Sequence, residues 1–113
     1  MFVALWEYEV KPGCEKRFEE AYGPGGGWVR LFRSDSNHIE TRLLRDPFRR
    51  AIYVTVDFWN SRGAYEKFMT GHQDEYTALD DAGEELRTSN GGLAGSRRLT
   101  RDPEADVRRR FSV

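Results

Sequence analysis

Histidine gains and loses its proton near neutral pH, and this chain has only two, His38 and His72. His38 opens a strand-like stretch beside polar residues, where a surface strand-start residue is the competing reading. His72 closes the apolar stripe of a helix, where an imidazole steadied by the helix dipole is the competing one. Both stand as candidate bases. Arg42 and Asp57 fall in mid-strand on half-buried elements, so they either pair across a hairpin or face a ligand. The ion pair is the expectation, with Arg42 kept as a candidate ligand contact. Tyr53, like Tyr8, offers a phenolic donor to a ligand oxygen, although strand aromatics more often pack.

Other constellations are weaker. The two histidines lie far apart in sequence and the lone Cys14 has no second thiol, so no metal site is expected. An unpaired cysteine fits a reducing compartment. Asp80-Asp81 and Glu84-Glu85 read as the solvated outside of a helix. Gly23-Pro24-Gly25-Gly26-Gly27 invites comparison with a phosphate-cradling loop. No strand directly precedes it and no Lys-Ser/Thr pair follows, so a flexible connector is expected.

The bulk numbers frame these residues. A chain of 113 residues suits one domain. Its 18 basic and 19 acidic residues leave a net charge of −1, which gives no long-range field to attract nucleic acid or an anionic membrane. The runs Arg49–Arg50, Arg97–Arg98 and Arg108–Arg110 are interspersed with acids and read as solvated surface. No apolar stretch approaches the ~20 residues that cross a bilayer, and the N-terminus does not read as a leader. A cytoplasmic protein is the expectation.

The positioning elements follow from periodicity. Residues 2–10 alternate, with Phe2, Ala4, Trp6, Tyr8 and Val10 on one face, as a strand does. Cys14, Phe18 and Tyr22 recur at every fourth position of a short amphipathic helix. Trp28, Leu31 and Phe32 supply one or two turns of a second. Residues 38–46 and 50–59 read as strands around a turn at Asp46-Pro47, an antiparallel hairpin. In the latter strand Ile52, Val54, Val56 and Phe58 share one face, and Tyr53, Thr55, Asp57 and Trp59 the other.

Ser61 is a plausible N-cap for a helix carrying Tyr65, Phe68, Met69 and His72, with Gly71 as an interruption. A further helix carries Tyr76, Leu79, Gly83 and Leu86, and residues 88–92 end it. Residues 93–100 form the weakest strand. Residues 1–100 are expected to make the domain, and 101–113 a charged, mobile tail. The order β-α-α-β-β-α-α-β predicts an α+β, ferredoxin-like split βαβ fold with a four-stranded antiparallel sheet. Helices cover one face of such a sheet, yet both faces carry apolar residues. A homodimer through the open sheet face is therefore expected.

The opening FVALWEYEVKPGCEKRFEEAYG, the segment YVTVDFWNSRGAYEKFM and the following EYTAL resemble the antibiotic biosynthesis monooxygenase superfamily. The likeness spans roughly residues 1–88 and is most specific at the junction Phe58-Trp59-Asn60-Ser61. It implies a dimeric ferredoxin-like α/β barrel and, among characterised members, cofactor-independent quinol or polyketide monooxygenases and haem-degrading enzymes. The haem-degrading branch relies on an Asn in the first strand, a Trp and an iron-ligating His. Here the first strand has no Asn, and the other two positions fall near Phe68 and Ala78. Haem degradation is not expected.

Oxygenation without metal or flavin needs a substrate that supplies its own electrons, as deprotonated phenols and hydroquinones do. The protein must add a dry aromatic pocket, a base and donors for the anion. Trp28, Phe32, Tyr65, Phe68 and Tyr76 are the candidate walls between helices and sheet, and the glycine-rich segment is a candidate lid. The expectation is a monooxygenase with no bound cofactor, acting on a small electron-rich aromatic, quinol or polyketide-like compound. The alternative is a non-catalytic ligand-binding or dimeric interaction domain.

Overall fold

The computed structural model describes residues 1–88 and a short strand at 96–98. Alternation in the first segment produces β1 (Phe2–Glu9), and Gly13, with φ at 88°, turns the chain into α1 (Glu15–Tyr22). After the glycine-rich stretch come α2 (Gly27–Phe32), then β2 (His38–Arg45) and β3 (Ile52–Trp59). The Ser61 hydroxyl accepts the Ala64 N–H at 3.1 Å and so caps α3 (Arg62–Gly71). His72 separates α3 from α4 (Gln73–Glu84), and Ser96–Arg98 form β4. Of the expected last strand, residues 93–95 and 99–100 lie outside the described residues, as does the expected tail at 101–113.

The sheet runs β2-β3-β1-β4 with antiparallel neighbours. This is the ferredoxin-like α+β arrangement, with split βαβ connections and helices packed on one face. The covered face carries Phe2, Ala4, Tyr8, Tyr53 and Trp59, joined by Phe18 and Tyr22 of α1 and Phe68 of α3 in one core cluster. The opposite face holds a smaller cluster of Val3, Leu5 and Val56, with Val54 and Phe58 against it. Aromatic contact dominates the main core. The Phe18 and Tyr22 rings stack at 4.1 Å, and Trp59 meets Phe32, Tyr65 and Phe68 at 5.0–5.7 Å.

Two local features depart from a simple reading of periodicity. The ladder between β2 and β3 is regular from Glu40 onward but shifts between His38 and Glu40. That bulge leaves Ile39 unpaired and reverses which residues share a face. The glycine-rich segment, expected as a free connector, is instead a close helix–helix approach. A Cβ on Gly26 would land on the backbone carbonyl of Ala21, so glycine is what lets α2 start against the end of α1.

Candidate functional site

Ladder register sets the floor of the site. Ala4, Asp57 and Thr41 stand side by side across β1, β3 and β2; Trp6, Thr55 and Leu43 form the next row. All face the helices. A carboxylate in that position is costly to ionise, since burial removes its water. Asp57 is 4% exposed, and burial lifts its carboxyl to about 7 despite the hydrogen bond from Thr41.

The rings above it come from every helix. Tyr22 ends α1, Trp28 and Phe32 belong to α2, Tyr65 and Met69 to α3, and Tyr76 to α4. With Trp6, Tyr8, Thr41, Thr55 and Asp57 of the sheet they enclose a cavity of about 20 Å³, room for about one water. Burial raises the phenol pKa of Tyr8 and Tyr22, and that of Tyr76 to about 12. These hydroxyls stay protonated at ordinary pH, whereas the Asp57 carboxyl titrates near neutrality. The buried Tyr22 hydroxyl makes no hydrogen bond of good geometry, although Trp28 lies close enough to oppose the rise in its pKa.

Beside Asp57, toward the edge strand β2, runs a line of polar groups. The Thr41 hydroxyl donates to Asp57 Oδ1 at 2.8 Å, and its Oγ1 is 2.8 Å from His38 Nε2. In a regular strand, residues three apart point to opposite faces. The bulge at Ile39 is what brings His38 and Thr41 onto the same one. The His38 ring is half-buried between Trp59 at 5.2 Å and Phe32 at 5.6 Å. Its pKa is lowered, first by burial and then by the neighbouring Arg33.

The other residues singled out in the sequence are placed as follows. Trp28, Phe32, Tyr65 and Tyr76 line the cavity. Phe68 lies deeper in the core, stacked on His72 at 4.1 Å. His72 Nδ1 is 2.9 Å from the Phe68 carbonyl, to which it donates, and the ring sits at the α3–α4 corner, away from the cavity wall. Tyr53 turns toward α1 and donates to Glu19 Oε2 at 2.6 Å. Asp80, Asp81 and Glu84 cluster on the outside of α4, where Asp80 is held at 3.1 Å by the buried Arg87.

The expected Arg42–Asp57 pair does not form. Thr41, not Arg42, stands opposite Asp57, which turns Arg42 to the other face. There it binds Glu40 at 3.0 Å, is 61% exposed, and lies over the Phe58 ring. Two opposite charges in adjacent strands predict a pair, but alternation alone does not fix the register to one residue. From sequence Asp57 reads as an ion-pair partner or a ligand-facing carboxylate, and Thr41 gives no signal.

Fold and site together define a small ferredoxin-like α+β domain with a buried carboxyl under an aromatic roof. The family model for antibiotic biosynthesis monooxygenases matches residues 1–78, and the chain belongs to that family. No curated protein matches the sequence. Among solved structures it is similar to the ActVA-Orf6 monooxygenase of Streptomyces coelicolor in complex with nanaomycin D. That pair shares 19% identity over 87% of this chain and 82% of the other, with a TM-score of 0.65. It is also similar to SnoaB, a cofactor-independent oxygenase of Streptomyces nogalater, at 19% identity, 88% and 90% coverage and a TM-score of 0.57. A conserved protein of Methanosarcina mazei shares the fold at 11% identity, 90% and 95% coverage and a TM-score of 0.59.

Proposed function

We propose that this protein is a cofactor-independent monooxygenase acting on a small electron-rich aromatic, quinol or polyketide-like compound. The carrying observation is Asp57, a carboxyl poised near neutrality in an aromatic wall. In this reading Asp57 takes the acidic proton of a phenol, hydroquinone or anthrone, and the buried tyrosine hydroxyls hold the resulting oxyanion. The anion passes electrons to dioxygen. For an anthrone, the ring CH₂ becomes C=O with one oxygen atom, and the second leaves as water with the two hydrogens. The substrate supplies every electron. The fold shared with ActVA-Orf6 and SnoaB supports the reading.

Oxygen consumption by hydroquinones and anthrones under air tests it. Uptake above the buffer rate that falls about a hundredfold or more in Asp57→Asn is expected, in line with the ~10²–10⁴-fold typical of general bases. No uptake with any member of the panel removes the enzyme reading. A second reading, a non-catalytic binding or interaction domain, is favoured by the small cavity. Its 20 Å³ is far below the ~300 Å³ of ordinary ligand pockets, so an aromatic guest must first displace side chains such as Met69. Binding without oxygen uptake, followed by thermal shift, selects that second reading.

We further propose that two copies associate through the open sheet face. Ile39 and Leu44 are 52% and 43% exposed there, beside the partly buried Val54 and Phe58.

A further inference from the structure

A base needs somewhere to send the proton it has taken. Once an aromatic ligand fills the cavity, Asp57 is closed off from above, because apart from Thr41 the rest of the wall is rings, Thr55 and Met69. Its flank toward β2 is different. Thr41 bonds it at 2.8 Å, and His38 Nε2 lies 2.8 Å further out on β2, an edge strand of the sheet. The imidazole is half-buried and its orientation is held by Phe32 and Trp59.

We propose that His38 and Thr41 are positioning residues that form a proton path between solvent and the Asp57 carboxyl. The proposal rests on the reading of Asp57 as the base. The path balances as a relay. Protonated Asp57 gives its O–H proton to Thr41 Oγ1 as Thr41 passes its own proton to His38 Nε2. The imidazole then releases a proton from Nδ1 to water, and the return of Thr41 and the ring to their first arrangement resets the line. A neutral imidazole is required as acceptor, in keeping with the lowered His38 pKa.

The groups that bear on these titrations among the described residues are as follows. Asp57 faces Tyr8 of β1, whose hydroxyl is engaged with Thr55. The rings of Tyr22, on α1, of Tyr65, on α3, and of Tyr76, on α4, share its cavity. His38 feels Arg33, just past α2, together with Asp35 and the backbone of Glu40. Thr41 bonds to both Asp57 and His38 and so links the two.

The test separates the path from the base. In the first measurement, the ring-nitrogen resonances of His38 are followed by NMR as pH is raised. The native protein is expected to show a second inflection where Asp57 titrates. That inflection should vanish in Thr41→Val and Asp57→Asn and persist in Thr41→Ser. Its absence from the native protein, or its persistence in Thr41→Val, overturns the path whether or not any substrate is found. In the second, with a substrate from the oxygen-uptake panel, Thr41→Val and His38→Gln should lower kcat about tenfold or more with KM unchanged. Thr41→Ser should restore it. Loss of uptake in Asp57→Asn with full kcat in Thr41→Val leaves the base standing and refutes the path.

Discussion

A carboxyl 4% exposed, with a threonine hydroxyl as its neighbour, is held near neutrality because desolvation outweighs one hydrogen bond. The same imbalance must register in stability. The folded value of about 7 lies above the ordinary 3.8, so the native state holds this proton more tightly than the unfolded chain does. Below about pH 4 the favourable contribution is fully present, and it is lost as pH rises through about 7. At ~1.4 kcal/mol per pH unit the loss amounts to about 4 kcal/mol. Other groups titrate too, so the quantity to measure is the stability difference between the native protein and Asp57→Asn. Urea denaturation at several pH values should show that difference falling by several kcal/mol between about pH 4 and pH 8. A flat difference would mean that water reaches the carboxylate. Asp57 itself was legible as an odd residue in an apolar strand, and four of the wall aromatics were legible from helical spacing. The Thr41 link was not, because it depends on a one-residue slip at Ile39 that no alternation pattern contains.

Among the elements, the strands and helix faces could be read because each follows one period, two in β3 and near four in α1. What escaped the sequence was contact between elements, and the glycines show why. Their missing side chains carry no pattern, yet Gly26 and Gly83 fix how closely two elements meet. Gly83 is buried in α4, and a Cβ there would overlap the Tyr22 hydroxyl at the end of α1. Alanine favours helix by about 1 kcal/mol over glycine, so an exposed site would gain from the change. Here overpacking, at about 1–3 kcal/mol, opposes that gain. Gly83→Ala is expected to lower stability by about 1 kcal/mol or more, readable as a fall in the denaturation midpoint. Removing the obstructing oxygen by Tyr22→Phe should recover most of the loss, giving a double variant more stable than the sum of the two single changes. Simple additivity would show that α4 moves aside and that Tyr22 is not wedged beneath it.

At the scale of the whole molecule, the sheet has two unlike faces. The helix side is closed by rings. On the other side Val3, Leu5 and Val56 are already buried within one chain, whereas Ile39 and Leu44, both on edge strand β2, remain open to solvent. Association of two copies should therefore involve the β2–β3 half of this face, where Leu44 stands opposite Val54. Sedimentation at micromolar concentration should give twice the chain mass of 13.1 kDa. Leu44→Glu separates this arrangement from one that avoids the face. In a lone subunit a charge at a 43% exposed position stays hydrated and changes stability by within about 0.5 kcal/mol. In a paired sheet it is buried against an apolar surface, which costs several kcal/mol on each side of a two-fold contact. The variant should sediment as a monomer with an unchanged far-ultraviolet circular dichroism spectrum. A native protein that is monomeric at that concentration, or a Leu44→Glu variant that stays dimeric, would exclude contact through this part of the sheet.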